Sequence, residues 1–319
     1  MEKEEKKPLI ILTGPTAVGK TAASIGLAKA VGGEIISADS MQVYKEMDIG
    51  SAKITPEEME GVPHHLVDVL EPEEEFNVVR FQELAKEAMK GIYERGHIPI
   101  VVGGTGFYIQ ALLYDIDFTE NETDHTYRKE LEQLAEMKGE EYLHELLQET
   151  DPESARQIHC HNVKRVIRAL EFYHQTGIKI SEHNEKEREK EAAYRSAYFV
   201  LTDERERLYE RIDRRVEKMM EQGLLEEVEA LRKRGLKRAD VSMQGLGYKE
   251  LFGYFEEEYP LEEAVRIIQR DTRHFAKRQL TWFRRERDVI WVDKSVVGRD
   301  EDKLIAFMLD RLRKKEIIR

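Results

Sequence analysis

Short apolar runs alternate with longer amphipathic stretches toward both ends of this chain. Apolar runs bounded by polar or glycine residues predict buried strands at 8–13, 34–38, 98–102, 198–201 and 289–292. Apolar residues at helical spacing predict helices at 21–31, 76–95, 204–222, 224–234 and 261–284. Because the strands alternate with helices, the pattern predicts an α/β fold, with a parallel sheet and helices on both of its faces.

The pattern changes between about residues 118 and 191, where no run has strand character. Helical spacing recurs there at 127–137, 140–149, 152–158 and 163–176, and the charged stretch 184–191 indicates a solvated linker or a helix extension. We therefore expect an all-helical insertion at 118–193. It would separate a first part of the α/β core at 1–117 from a second part at 194–319.

The composition is that of a soluble globular protein, since 40% of the 319 residues are apolar and 36% are charged. No run approaches the roughly 20 apolar residues of a membrane span, so no membrane association is expected. The single cysteine, Cys160, excludes an internal disulfide and fits a reducing cytoplasm, and we assign it no chemistry. His64 and His65 have no cysteine or histidine partner at ligand spacing, so a structural role is favoured over a zinc site.

The net charge of −13 is an average that disfavours a nucleic-acid partner. The distribution of charge changes that conclusion, because the predicted helix at 261–284 and the residues just after it are locally basic. Arg266, Arg270, Arg273 and Lys277 are spaced four, three and four residues apart, so they share one helical face. Such a face suits contacts with phosphates, although most charged faces contact only solvent.

One glycine-rich segment matches a phosphate-binding loop without a mismatch. The sequence GPTAVGKT follows the first predicted strand and precedes the first predicted helix, as the motif requires. Its backbone N–H groups would surround anionic oxygens, Lys20 would add a cation, and the Thr21 hydroxyl would ligate Mg²⁺. The predicted diphosphate-binding residues are Gly14, Pro15, Thr16, Ala17, Val18, Gly19, Lys20 and Thr21.

Two further polar groups follow neighbouring strands. The strand at 98–102 ends in Gly-Gly-Thr-Gly at 103–106, where an NTPase usually places an acidic residue for Mg²⁺. A carboxylate, Asp39, follows the strand at 34–38 instead. Since the carboxyl ends of parallel strands line the ligand crevice, Asp39 and Thr105 should converge on the phosphate loop. The residues alone leave Asp39 as a general base, a metal ligand or only a turn residue.

Six motifs occur in a fixed order: GPTAVGKT, ISADSMQVYKEMDIGSAK, PHHLVD, VVGGTGFY, NVKRVIRALE and TRHFAKRQLTWFR. Together they resemble bacterial tRNA dimethylallyltransferases, also called tRNA isopentenyltransferases, and the resemblance extends from residue 10 to about 293. The chain departs from the family at one place. His-Asn-Val-Lys-Arg at 161–165 stands where members usually have a short Asp-Pro-x-Arg run.

The resemblance implies an enzyme that transfers the dimethylallyl group from dimethylallyl diphosphate to N6 of the adenosine 3′-adjacent to the anticodon in tRNA. Mg²⁺ is the implied cofactor, and the P-loop of this NTPase-like sheet then holds a leaving group rather than ATP. The target adenosine has to be flipped out of the anticodon loop to reach the site. The expected partners are the tRNA anticodon stem-loop and the diphosphate, and the chain is expected to be a cytoplasmic monomer.

The resemblance also implies roles for single residues. Asp39 is the base that takes the proton from N6, and Thr105 and Arg215 contact the diphosphate. Arg214 adjoins Arg215, and the choice between these two arginines stays open. The predicted tRNA-binding residues are Asp39, Ser40, Met41, Gln42, Thr105, Arg128, Lys164, Arg165, Val166, Ile167, Arg168, Arg273, Lys277 and Arg278.

Two other functions stay open at this point. One is a small-molecule enzyme, either a transferase that prenylates a free adenine nucleotide or a P-loop nucleotide kinase. The arginines of the insertion and the basic helix disfavour it. The other is a non-catalytic RNA-binding or nucleotide-switch module, which the intact phosphate loop with Asp39 and Thr105 beside it disfavours.

Overall fold

The computed structural model describes residues 6–118 and 126–319. Six strands form one sheet in the order β3-β2-β4-β1-β5-β6, and every neighbouring pair is parallel. The parallel sheet predicted from the apolar pattern is confirmed, and the two-residue β3 is an addition to it. The strands are β1 (Pro8–Thr13), β2 (Gly33–Ala38), β3 (His64–His65), β4 (Ile98–Gly103), β5 (Arg195–Thr202) and β6 (Val289–Asp293).

Helices occupy most of the remaining described chain. They are α1 (Lys20–Val31), α2 (Val78–Glu94), α3 (Gly106–Leu113), α4 (Thr126–Lys138), α5 (Glu140–Thr150), α6 (Pro152–Gln157), α7 (Val163–Thr176), α8 (Ile180–Glu189), α9 (Arg205–Glu221), α10 (Leu224–Arg234), α11 (Tyr248–Phe255), α12 (Leu261–Phe283), α13 (Lys294–Val297) and α14 (Glu301–Lys314). The sequence pattern did not predict α3, α11, α13 or α14. In the described part of the chain, no helix combines the length and the apolar character needed to cross a membrane.

The chain divides into two compact units, Met1–Leu113 with Ala193–Arg319, and Tyr114–Ala192. The first contains the whole sheet, and the second contains only helices among its described residues, α4 to α8. The sequence pattern set the corresponding divisions at 118 and 193. Its expectation that no strand lies between 118 and 191 also covers residues 119–125, which lie outside the described residues.

The register of the central strands aligns the ends that carry the predicted site. Thr13 at the end of β1 pairs with Gly103 at the end of β4, which pairs with Ala38 at the end of β2. The next residue of each strand therefore leaves the same edge of the sheet, and these are the phosphate loop, the second glycine loop and Asp39. β1 and β2 are buried along their length except at Pro8, as strands covered on both faces should be.

The helical unit has a core of its own. Buried apolar side chains from α4, α5, α6 and α7 form it, including Leu131, Leu143, Leu147 and Val166. Its α6 and α8 are joined by the buried carboxylate of Asp151. Oδ1 of Asp151 accepts hydrogen bonds from the Ser154 N–H (3.1 Å) and the Ser181 hydroxyl (2.7 Å), and so caps α6 while holding the start of α8. The charged stretch 184–191, which the sequence pattern left as a linker or a helix extension, is helical over most of its length, since α8 continues to Glu189.

Candidate active site

The phosphate loop connects β1 to α1 and depends on glycine at two positions. Gly14 has φ +147°, and a Cβ there would lie 2.5 Å from the carbonyl oxygen of Leu201. Gly19 has φ +94° and is the N-cap of α1, so it has no side chain that could occupy the first N–H groups of the helix. Those N–H groups and the helix dipole then provide a binding site for an anion.

Lys20 lies over this loop. Its ammonium donates hydrogen bonds to the carbonyl oxygens of Gly14 (3.0 Å) and Pro15 (2.9 Å). Burial lowers the pKa of Lys20 to about 8, Asp39 opposes that shift, and the nearby positive charge of Arg215 adds to it. The pKa of Lys20 thus depends on the other charges of the site, and an anion that binds there would raise it.

Three more cations surround the loop, and two of them were not predicted from the sequence. A Cβ on Gly19 would come within 3.1 Å of the Lys294 ammonium and 3.3 Å of the Arg211 guanidinium. Lys294 donates to the carbonyl oxygen of Val18 (3.0 Å), and burial lowers its pKa. Burial also lowers the pKa of Arg215, against the opposing effect of Asp39. Four positive side chains around one anion-binding loop indicate a ligand with more than one negative charge.

The two adjacent arginines of α9 differ in burial. Arg215 is partly buried, whereas Arg214 is exposed, and both line the same cavity. The pKa of Arg215 responds to burial first and then to Asp39 and Arg211, which places this guanidinium among the charges of the site. Arg215 is therefore the more buried of the two arginines, and its charge interacts with that of Asp39.

Asp39 is both a turn residue and a cavity residue. Its Oδ1 accepts hydrogen bonds from the N–H groups of Met41 (2.9 Å) and Gln42 (3.4 Å), which fixes the carboxylate at the end of β2. Among the described residues, Oδ2 accepts no hydrogen bond. Asp39 also lines the cavity with Ser40, Met41 and Gln42. The turn thus orients the carboxylate and leaves one oxygen for chemistry.

A second glycine loop, at 103–106, lies directly beside the first. A Cβ on Gly103 would be 2.1 Å from the carbonyl oxygen of Ala38, so only glycine allows β4 and β2 to end so close together. Gln279 on α12 joins the two loops, and it was not predicted as a site residue. Its Oε1 accepts from the Thr16 N–H (2.9 Å), and its Nε2 donates to the Gly104 carbonyl (3.0 Å).

These groups line a cavity of about 920 Å³ that lies wholly within the α/β unit. The phosphate loop, Asp39, Thr105 and Arg215 all contribute to its wall. The wall also contains aromatic and aliphatic side chains, among them Phe76 and Tyr108, whose rings meet edge to face with centroids 5.6 Å apart. The cavity therefore has a charged part suited to a diphosphate and apolar surface suited to a hydrocarbon group.

The wall formed by residues 50–52 is held from outside the cavity by Glu227 on α10. Its carboxylate accepts from the N–H groups of Asp48 (2.8 Å), Ile49 (2.7 Å) and Gly50 (3.0 Å) and from the hydroxyl of Tyr248 (2.7 Å). A carboxylate that satisfies three successive N–H groups fixes the backbone of that loop. No local pattern in the sequence predicts this contact, because Gly50 and Glu227 are 177 residues apart.

The basic residues of α12 differ in whether they form ion pairs with acidic side chains. Arg273 forms an ion pair with Asp213 on α9, and Arg266 and Arg270 pair with Glu263 and Asp271. Lys277 and Arg278 are exposed, and Arg278 lines the cavity. Arg278 and the neighbouring Lys277, rather than the whole face, therefore offer positive charge to a ligand.

In the helical unit, the predicted tRNA-binding residues fall into two groups. Lys164 and Arg165 are exposed at the start of α7. Val166 and Ile167 are 0% and 4% exposed in the core of the unit, so their side chains are not available to a partner, contrary to what the motif suggested. The helical period explains this division, since residues 166 and 167 fall on the face of α7 that packs against α4 and α5.

Arg128 and Arg168 are engaged within the helical unit. Arg128 donates two hydrogen bonds to Glu171, from Nε (3.0 Å) and Nη2 (2.6 Å), and Arg168 approaches the same carboxylate at 3.5 Å. Burial alone would raise the pKa of Glu171, but these two arginines hold it below its usual value. Arg128 therefore balances a buried charge, a role that its position in the sequence did not indicate.

His64 and His65 have structural contacts, as the sequence favoured. His65 Nε2 lies 2.7 Å from the buried carboxylate of Glu34, and His64 Nδ1 donates to the Val62 carbonyl (2.8 Å). Glu34 also accepts two hydrogen bonds from Arg95 and one from His97. This ion cluster lies at the amino end of β2, away from Asp39 at its carboxyl end.

The site residues that were not predicted carried weak signals in the sequence. Lys294 directly follows β6, at the carboxyl edge of the sheet where ligands bind. Arg211 precedes Arg215 by four residues and so shares its helical face. Gln279 belongs to the motif TRHFAKRQLTWFR, where it directly follows the basic residues Lys277 and Arg278.

Comparison with known proteins identifies the family to which these features correspond. A family model described as IPP transferase matches residues 42–286, and one described as isopentenyl transferase matches residues 7–70. The tRNA dimethylallyltransferase of Lachnoclostridium phytofermentans is 60% identical, over 98% of this chain and 100% of that protein. The full-length tRNA isopentenylpyrophosphate transferase of Bacillus halodurans is structurally similar, with a TM-score of 0.73, 44% identity and 98% of each chain covered. A eukaryotic dimethylallyltransferase acting on tRNA has a TM-score of 0.82 at 30% identity, over 97% of this chain and 80% of that one.

Proposed function

This chain belongs to the IPP transferase family of tRNA dimethylallyltransferases, and from that premise we propose its reaction in detail. It transfers the dimethylallyl group of dimethylallyl diphosphate to N6 of the adenosine on the 3′ side of the anticodon in tRNA. The observation that carries the proposal is the shared position of Asp39, Lys20 and Arg215 on one cavity, where the carboxylate interacts electrostatically with both cations. A base beside a diphosphate site is what this transfer requires.

In the proposed reaction, the N6 lone pair forms a bond to C1 of the dimethylallyl group. The bond from C1 to oxygen breaks, and its electron pair leaves with the diphosphate. Lys20, Arg215 and the N–H groups of the phosphate loop stabilise the charge that develops on that oxygen. Oδ2 of Asp39 takes the proton from N6, because an exocyclic amine is a weak nucleophile until that proton leaves.

The donor set near the phosphate loop fits Mg²⁺. The Thr21 hydroxyl and the Asp39 carboxylate are hard oxygen donors on the same cavity, of the kind that this ion prefers. We assign Thr21 as its protein ligand, and the ion when bound would neutralise charge on the diphosphate.

The proposed tRNA surface has a part in each unit. In the α/β unit it consists of Asp39 to Gln42, Thr105 and Arg278, which line the cavity. In the helical unit it consists of Lys164, Arg165 and Arg168 on α7. A flipped adenosine would enter the cavity while the positive side chains contact the RNA backbone. A tRNA substrate also supports the expectation that the enzyme acts in the cytoplasm, and we propose that it acts there as a monomer.

The competing small-molecule reactions predict different products. A nucleotide kinase would transfer phosphate from ATP, and a free-nucleotide prenyltransferase would modify AMP. The enzyme should be incubated with Mg²⁺ and dimethylallyl diphosphate plus either unmodified tRNA or AMP, and separately with ATP plus AMP. We expect prenylated adenosine only in tRNA. Prenylated AMP or phosphoryl transfer at a comparable rate would overturn the proposal.

The role of Asp39 is tested by Asp39→Asn, with Asp302→Asn on the exposed surface of α14 as the matched control. Single-turnover transfer should slow by about 10²–10⁴-fold, the usual scale for acid–base catalysis, while dimethylallyl diphosphate affinity stays near normal. If Asp39 were a metal ligand, diphosphate affinity would fall and excess Mg²⁺ would restore it. A normal rate with a lowered melting temperature would leave only the turn role.

A further inference from the structure

Three consecutive residues before α7, His159, Cys160 and His161, bring metal-binding atoms together in the helical unit. One ligand atom from each lies within 4.8 Å of the others. The Cys160 Sγ is 3.7 Å from His159 Nδ1 and 3.8 Å from His161 Nδ1. We propose that these residues and Glu140 form a binding site for a zinc-type transition metal ion.

The two sulfur–nitrogen distances are close to those expected around such an ion. Tetrahedral zinc with Zn–S of about 2.3 Å and Zn–N of about 2.0–2.1 Å separates a sulfur and a nitrogen ligand by about 3.5–3.6 Å. Both sulfur–nitrogen distances are close to that value before any ion is bound. The two histidine rings lie on the same turn, with centroids 4.8 Å apart and planes inclined at 46°.

A fourth donor comes from a different helix. Glu140, the first residue of α5, has its Oε2 2.6 Å from His161 Nδ1. The side chains of Glu140 and His161 are 44% and 66% exposed, so an ion in solution can reach both. An ion inserted between these atoms would be held by one thiolate, two imidazoles and one carboxylate, which are four ligands of the three types that zinc accepts.

The turn that carries the three residues is held in place by its neighbours. The Asn162 N–H donates to the His159 carbonyl (2.8 Å) and closes the turn. His144 on α5 donates through Nε2 to the carbonyl oxygens of Ile158 (2.8 Å) and Ala155 (3.1 Å), which fixes the chain just before it. Because this support is present without an ion, binding would cost little rearrangement.

The ligand set favours a borderline or soft ion over Mg²⁺. Thiolate and imidazole select zinc and similar metals, whereas Mg²⁺ prefers oxygen. All four ligands lie within Tyr114–Ala192, and none of them belongs to the cavity of the α/β unit. The ion would connect the start of α5 to the turn that leads into α7, and so would fix the position from which Lys164 and Arg165 emerge.

The test uses the full chain, kept reduced, freed of metal with a chelator and held in excess Mg²⁺ so that oxygen-rich sites stay occupied. Zn²⁺ is titrated in competition with a chromophoric chelator, and Co²⁺ serves as a spectroscopic probe. We expect one ion per chain and a thiolate-to-cobalt charge-transfer absorption. Cys160→Ser should remove that absorption and weaken Zn²⁺ binding by at least about 10–100-fold, the scale seen when even a supporting group is lost.

His161→Ala should weaken binding similarly, and Glu140→Gln should weaken it to a smaller extent. His274→Ala is the matched control, because His274 is an exposed histidine near a carboxylate, Asp271, in the α/β unit. Circular dichroism of each variant establishes that it is folded. Less than half an ion per chain in the unmodified protein, or unchanged affinity in folded Cys160→Ser, would overturn the site. Unchanged affinity in Glu140→Gln would overturn the assignment of the fourth ligand.

Discussion

Gln279 should control the geometry of the active site without touching the reacting atoms. It is 6% exposed and joins the phosphate loop, through the Thr16 N–H, to the second glycine loop, through the Gly104 carbonyl. Gln279→Met keeps the length and volume of the side chain and removes both hydrogen bonds. Each bond contributes about 1 kcal/mol net, so the loss in the aligned state is about 2 kcal/mol. At about 1.4 kcal/mol per factor of ten, kcat/KM should fall about 30-fold.

Gln279→Glu tests the two hydrogen bonds of Gln279 separately. The carboxylate can still accept from the Thr16 N–H, but it places a negative oxygen against the Gly104 carbonyl and close to the diphosphate site. Its kcat/KM should therefore fall further than that of Gln279→Met, although it is the closer match in shape.

The assay is steady-state transfer to tRNA with dimethylallyl diphosphate varied, beside a melting curve for each variant. Gln269→Met is the matched control, since Gln269 lies on the same helix and makes one long hydrogen bond (3.4 Å) to the Asp213 carbonyl. A Gln279→Met enzyme within threefold of the unmodified rate, or Gln279→Glu more active than Gln279→Met, would refute the positioning role.

Three other predictions concern charge. The pKa of Lys20 is about 8 in the free site, and a bound anion favours the protonated form, so the affinity for diphosphate should fall above pH 8 by up to about tenfold per pH unit. Calorimetry with pyrophosphate should show this pH dependence. Lys20→Ala should bind pyrophosphate more weakly and should not show the pH dependence. Changing Arg165 and Arg168 together to alanine should weaken tRNA binding and spare the affinity for dimethylallyl diphosphate, and equal losses of both would contradict the assignment. Hydrogen bonds from Arg95, more than those of the two histidines, lower the pKa of Glu34 to about 2 against the effect of burial, so its stabilisation is present above about pH 4.5 and lost as the pH falls toward 2. Glu34→Gln should accordingly reduce the free energy of unfolding by about 3 kcal/mol at pH 7, and a denaturant titration at pH 3 should find a smaller difference.

The sequence by itself determined the elements whose signal is local. The run PLIILT followed by GPTAVGKT defines a strand, a phosphate loop and a helix, because the apolar residues, the glycines and the lysine needed for that unit are contiguous. The same reasoning located β2, β4, β5 and β6, and it put Asp39 and Thr105 at the carboxyl edge of the sheet. Helix α7 was predicted with its observed bounds, since its apolar residues follow the helical period without interruption.

Tertiary structure decided the features that depend on residues far apart in the chain. Gln279 meets Thr16 across 263 residues, and Glu227 meets Gly50 across 177, because α12 and α10 pack against other helices of the α/β unit. No local pattern encodes such a meeting. The burial of Val166 and Ile167, within a motif that suggested contact with RNA, is of the same kind, because it depends on which face of α7 packs against its neighbours.

The folded structure also brings together residues to which the sequence pattern assigned no role. Cys160 was assigned no chemistry, yet the turn before α7 places its sulfur between two imidazoles, and α5 brings Glu140 to the same point. The sequence thus determined which chemical groups this protein carries and where its phosphate loop lies. Packing decided which of those groups meet, because a hydrogen bond, an ion pair or a metal site requires distances of a few ångströms that only the folded chain sets.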